Sequence, residues 1–71
     1  MSEWVDVQHR LAINLRRLRL AKSLSQEAFA DEAGVHRTYV SDLERAARNP
    51  TIKVVETLAT ALGVSVSELL R

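Results

Sequence analysis

Only two glycines and one proline interrupt this chain of 71 residues, at Gly34, Gly63 and Pro50. Strand-like alternation of β-branched residues is nearly absent. With so few breakers, the apolar positions recur at helical rather than strand spacing, and the chain reads as all helix.

The breakers divide it. Leu11, Leu15 and Leu18 recur at i, i+4 and i+7, with Leu20 and Leu24 beyond. That stripe predicts a first helix from about Val5 to about Ala21. Ser25 has the chemistry of an N-cap, because its hydroxyl accepts from a free N–H of the next turn. Glu27 then sits where the helix dipole favours an acid. Phe29, Ala30 and Ala33 form an inward face, and Gly34 closes a short second helix over about Gln26 to Ala33. A third helix is expected from about Arg37 to about Arg45, with Val40 and Leu43 as its buried pair. Asn49-Pro50-Thr51 marks a loop, with Thr51 capping a fourth helix. Val55, Leu58, Ala59 and Leu62 give that helix one apolar face, and Gly63 ends it. Ser65 and Glu68 form a capping box for a last short helix carrying Val66, Leu69 and Leu70.

Composition narrows the class. A hydrophobic fraction of 46% with 27% charged residues is globular rather than disordered. This length is expected to form one domain, residues 1–71. Cysteine is absent, which removes disulfides and thiolate metal sites. His9 and His36 stand far apart and make no ligand cluster, so no metal and no cofactor is expected. Support must then come from well-packed helices or from a second copy. The longest apolar runs are a few residues, too short for a membrane. Glu3 and Asp6 stand where a signal peptide would be basic and apolar, so a cytoplasmic location is expected. The net charge of +1 is unevenly distributed. Arg10, Arg16, Arg17, Arg19 and Lys22 run without an acid, and Glu27, Asp31 and Glu32 follow without a base. Such a basic run is by itself most simply a solvated helix face.

The informative unit is the pair of short helices around Gly34, over about residues 26–45. Ala30 is small where the two must approach, and Phe29, Ala33, Val35, Val40 and Leu43 are apolar where the pair must rest on a core. This spacing fits a helix-turn-helix, whose second helix enters the DNA major groove. The residues themselves add to it. Leu24-Ser25-Gln26-Glu27-Ala28-Phe29-Ala30, Ala33-Gly34-Val35, Tyr39-Val40-Ser41-Asp42-Leu43-Glu44-Arg45, Asn49-Pro50-Thr51 and Ala61-Leu62-Gly63-Val64-Ser65 follow in order. Together they resemble the Cro/repressor-type, or XRE, helix-turn-helix family from about Leu11 to Leu70. The resemblance implies a five-helix, lambda-repressor-like DNA-binding domain that regulates transcription as a dimer. The run His36-Arg37-Thr38-Tyr39-Val40-Ser41 and the Arg48-Asn49 pair further resemble controller proteins of restriction–modification systems. The sequence departs from the family at Ala46, where the family usually has glycine after Glu-Arg. Either the third helix runs about one turn further or Ala46 adopts the left-handed region, which costs ~1–2 kcal/mol. Ser23 likewise replaces a common glycine after the first helix.

Arg37 and Thr38 open the third helix, the end that reaches base edges, and Arg can grip guanine O6 and N7 with both forks. Ser41, Asp42 and Arg45 follow one and two turns later. For Asp42 two roles stand equal: accepting from cytosine N4, as the family alignment implies, or orienting Arg45 or Arg37. Tyr39 offers its hydroxyl to a phosphate or packs its ring on the core. Gln26 lies at a helix N-terminus suited to phosphate, a position that clamps the DNA backbone in the resembling family. Arg48, Asn49 and Thr51 are the expected clamp on the far side of the reading helix. These contacts set register rather than sequence preference. The resemblance places Arg19 opposite Glu44 as a structural ion pair. Trp4, Val5 and Val7 precede the family match and have two readings, packing on the domain or on a partner subunit.

The last helix is expected to expose an apolar patch of Val66, Leu69 and Leu70 beside Leu62 and Val64, and so to form a two-fold interface. On that reading Leu69→Glu yields a monomer. The sequence-level expectation is therefore a homodimeric regulator of double-stranded DNA on a near-palindromic operator. The competing readings are an antitoxin-type autorepressor, a phage-type repressor, or an interaction module that has lost DNA binding. Nothing in the motifs suggests an enzyme or a small-molecule ligand.

Overall fold

The computed structural model describes residues 6–71, so Trp4 and Val5 lie outside the described residues. Five helices follow in order: α1 Val7–Ala21, α2 Gln26–Ala33, α3 Arg37–Glu44, α4 Ile52–Leu62 and α5 Val66–Leu70. No strand occurs among the described residues. Four of the five helices start at a side-chain cap, and α3 starts at His36 without one. Asp6, Ser25, Thr51 and Ser65 accept from the backbone N–H of His9, Ala28, Val54 and Glu68. At α5 the box closes, with Glu68 reaching back to the Ser65 N–H at 3.5 Å.

Four helices also end alike. The N–H of the second residue past the cap folds back across six residues: Leu24 to Arg19, Val35 to Ala30, Ala47 to Asp42 and Val64 to Ala59, at 3.2, 3.0, 2.8 and 3.0 Å. This is the Schellman arrangement, which needs a left-handed residue just past the helix. Gly34 and Gly63 supply it at φ of 73° and 72°, and Ser23 and Ala46 adopt it at 58° and 56°. The open question at Ala46 is thus answered: the helix stops, and Ala46 carries the left-handed conformation.

α1 packs on α3 and α5, α2 on α3 and α4, and α4 on α5. Leu11, Leu15, Phe29, Val40, Leu43, Val55, Leu58, Leu62 and Leu69 form the centre. Leu20, by contrast, is half exposed at the far end of α1.

The apolar patch expected at the chain end is corrected here. Leu69 is fully buried within a single chain, and Leu62 is only 4% exposed. Val64, Val66 and Leu70 are partly buried against the same core. A five-residue helix can bury Leu69 because α1 receives its last carbonyls. Arg10 Nε donates to Leu70 O and Asn14 Nδ2 to Leu69 O, both at 3.0 Å. Side-chain donors thus satisfy helix-end carbonyls that have no partner within the helix.

Candidate nucleic-acid interface

α2 and α3 meet at the Gly34 turn. A Cβ added to Gly34 meets nothing within 4 Å, so backbone conformation rather than space calls for glycine there. Past the turn, Arg37 and Thr38 stand exposed on the first turn of α3, while Val40 and Leu43 anchor its opposite side in the core. The helix is therefore held from behind and presents its polar residues outward, as a reading helix must. Ser41 is half-buried at its flank.

The back of the motif is locked by a buried ion pair. Arg19 Nε donates to Glu44 Oε2 at 2.6 Å and Nη2 to Oε1 at 2.9 Å. Both side chains are under a tenth exposed. The two-pronged geometry fits a guanidinium to a carboxylate and raises the Arg19 pKa through the hydrogen bond to Glu44. The third arm of Arg19, Nη1, donates to Leu24 O at 2.7 Å and so holds the Ser23 corner. Gln26 Nε2 donates to Glu44 Oε1 at 3.1 Å, which ties the start of α2 to the end of α3. In the free protein, then, the Gln26 amide is committed to Glu44 while the N-terminus of α2 beside it stays in place.

Asp42 organises the outer side. Its carboxylate accepts from Arg45 Nη2 through Oδ1 and from Arg48 Nε through Oδ2, the latter at 3.3 Å. The bond from Arg45, then that from Arg48, holds Asp42 below the usual aspartate pKa. Of the two roles open to Asp42, the structure contains the orienting one, with Arg48 as the second partner in place of Arg37. Each carboxylate oxygen accepts one of these bonds and keeps a further lone pair, so both arginines can stay paired while Asp42 accepts another donor. Arg48 also lies over the Tyr39 ring, 4.9 Å from its centroid, in cation–π geometry. Tyr39 is half-buried, so its ring packs while one side remains accessible. Asn49 is exposed beside Arg48, and Thr51 uses a hydroxyl lone pair to cap α4 at 3.2 Å. The structure thus brings Tyr39, Asp42, Arg45 and Arg48 together, and links Gln26, Glu44 and Arg19.

Sequence reasoning missed Gln8. Its Nε2 donates to Ala46 O at 3.1 Å and to Arg48 O at 2.7 Å, spanning nearly forty residues. No local signal marks such a contact. The only hint available was that a loop with a left-handed alanine needs support from elsewhere.

Comparison with known proteins agrees with this architecture. The helix-turn-helix family matches residues 15–69. The control protein C.SmaI of Serratia marcescens is 43% identical over 67 residues, covering 94% of this chain and 80% of that protein. The crystal structure of the restriction–modification controller protein C.AhdI from Aeromonas hydrophila superposes with a TM-score of 0.83 at 42% identity, covering 87% of this chain and 94% of that one. The controller protein C.Esp1396I, as a tetramer in complex with its natural 35 base-pair operator, superposes with a TM-score of 0.80 at 30% identity, over 96% of this chain and 100% of that one. The chain belongs to the helix-turn-helix family of the Cro/repressor, or XRE, type, among relatives that include restriction–modification control proteins.

Proposed function

We propose that this protein is a cytoplasmic, non-catalytic transcription regulator that binds a near-palindromic operator as a homodimer and controls restriction–modification genes. The observation that carries this reading is the polar surface around α3, where exposed Arg37 and Thr38 stand beside the Tyr39–Arg48–Asp42–Arg45 cluster. Arg37, Thr38, Ser41 and Arg45 read base edges, with Asp42 orienting Arg45. Tyr39, Arg48, Asn49, Thr51 and the α2 start at Gln26 contact phosphates. Exposed Arg37 and Thr38 also favour DNA over a module that has lost it. Residues 1–71 act as one DNA-binding unit.

We infer a two-fold face that leaves out Leu62 and Leu69, which a single chain already buries. Ile52 is 75% exposed and Val7 50%, both large for the surface they occupy. Together with Leu70 they line one shallow cleft. Pairing through this face sets two reading helices about 34 Å apart, one turn of DNA.

The test is binding to a duplex spanning the protein's own promoter across a salt series. Affinity falls as salt rises because condensed counterions are released. Arg37→Ala costs roughly 1–3 kcal/mol on the specific duplex and relaxes preference at one base pair per half-site, whereas Arg48→Ala weakens all duplexes alike. No binding at low salt, or equal loss of specificity from both variants, rejects the assignment.

A further inference from the structure

Two corners of this fold adopt the left-handed region without glycine, at Ser23 and Ala46. Both are gripped by a side chain from α1. Arg19 holds the first through Leu24 O, and Gln8 holds the second through Ala46 O and Arg48 O. A carboxamide nitrogen carries two hydrogens, and here both go to carbonyls of a single loop. The first corner only turns the chain into α2. The second carries Arg48 and Asn49, and its path decides where they stand.

We propose that Gln8 is a positioning residue for DNA binding, setting the loop after α3 so that Arg48 and Asn49 meet the phosphate backbone. The proposal rests on the DNA-binding reading above. Arg48 is held at three points. Its carbonyl is bound by Gln8 at 2.7 Å, its Nε lies 3.3 Å from Asp42, and its guanidinium covers Tyr39 at 4.9 Å. The latter two anchor the side chain to α3. Only Gln8 holds the backbone from outside the reading helix, among the described hydrogen bonds. Without that grip the loop keeps its Schellman bonds to Asp42 and Leu43, but residues 48 and 49 lie beyond them. Among the described contacts Asn49 has no anchor on α3 comparable to that of Arg48, so it depends on the backbone path. Gln8 touches no base and no phosphate in this role. It therefore acts on affinity for all sequences, not on the choice among them.

The experiment uses Gln8→Met, which keeps shape and helix propensity and removes both donors, with Gln8→Ala as the second variant if the first fails to fold. Each is compared with the wild type and Arg48→Ala on a duplex spanning the protein's own promoter and on a scrambled duplex of equal length, over a salt series. Gln8→Met is expected to weaken both duplexes by the same factor, about five- to tenfold, the scale of one displaced phosphate contact. The salt slope is expected to fall by about one per subunit, as for Arg48→Ala. Added to Arg48→Ala, Gln8→Met is expected to cost less than about twofold more, because coupled residues are not additive. Unchanged affinity and slope in Gln8→Met overturns the proposal while leaving the DNA-binding reading intact. So does a fully additive double variant, which marks Gln8 as acting independently of Arg48, a loss confined to the promoter duplex, or a Gln8→Met variant that sediments as a monomer where the wild type is dimeric, since Gln8 also lines the cleft of the two-fold face. A wild type that binds neither duplex removes the DNA-binding reading and this proposal with it.

Discussion

Arg19 shows how one side chain can be committed entirely to structure within a motif whose other arginines face outward. Its three donor nitrogens are spent on Glu44 and Leu24 O, and both partners of the ion pair are buried. Removing one partner leaves an uncompensated charge in the interior. Glu44→Ala is therefore expected to cost about 3 kcal/mol, read from urea unfolding, and it also releases Gln26 from its anchor. Asp42 makes a second prediction. Its pKa is lowered by Arg45 first and by Arg48 second. A group whose folded pKa is depressed stabilises the fold at pH above its unfolded value and loses that contribution as pH falls through the folded one. The Asp42 carboxyl carbon, followed by NMR, should titrate below the ordinary aspartate range. In Arg45→Ala it should move back up towards it. A titration unaffected by Arg45→Ala would show that the pair does not persist in solution. Spacing alone marks Arg19 as one of five similar cations. The resemblance singled it out as the partner of Glu44, and its burial in the structure separates it from Arg16 and Arg17, which are exposed.

Four helix ends share one geometry, yet only two have the residue suited to it. Gly34 and Gly63 take the left-handed region freely, whereas Ser23 and Ala46 carry a Cβ there. Ala46→Gly is expected to raise stability by about 1 kcal/mol through relief of that conformation. Gly34→Ala is expected to lower it by about 1–2 kcal/mol through backbone strain alone, since no atom lies within 4 Å of the new methyl. Thermal unfolding of both variants checks the pair, and the same sign of change in both would contradict the shared geometry. Caps and glycine ends were legible beforehand because a helix end is decided within a few residues of chain. The bounds of α2 agree with expectation for that reason. The path after α3 was not legible, because a left-handed alanine and a longer helix satisfy the same local pattern.

The described residues are compact, with a radius of gyration of 11.3 Å, near the ~11 Å expected of a folded chain of this size. At this size each element must serve the single core, and α5 does so by sinking Leu69 into it. Leu69→Glu therefore buries an unpaired carboxylate and is expected to prevent folding rather than to release a folded monomer. Ile52→Glu places its charge at a position 75% exposed in one chain. It should fold normally, sediment as a monomer at tens of micromolar, where the wild type is expected to be dimeric, and bind its operator weakly. A dimeric Ile52→Glu, judged by sedimentation, would put the two-fold face elsewhere. Circular dichroism of Leu69→Glu separates loss of fold from loss of pairing.

By itself the sequence determined the number, order and approximate bounds of the helices, their caps, and the polar character of α3. Those properties arise from residues within a turn or two of each other, where periodicity and capping chemistry act directly. The resemblance added the pairing of Arg19 with Glu44. Tertiary structure alone decided which apolar residues a single chain covers, which arginines Asp42 holds, and that Gln8 reaches across to the loop of Arg48. Periodicity specifies a helix's apolar side but not what will lie against it. For Leu69 that surface is the chain's own core, closed by Arg10 and Asn14 from some sixty and fifty-five residues away.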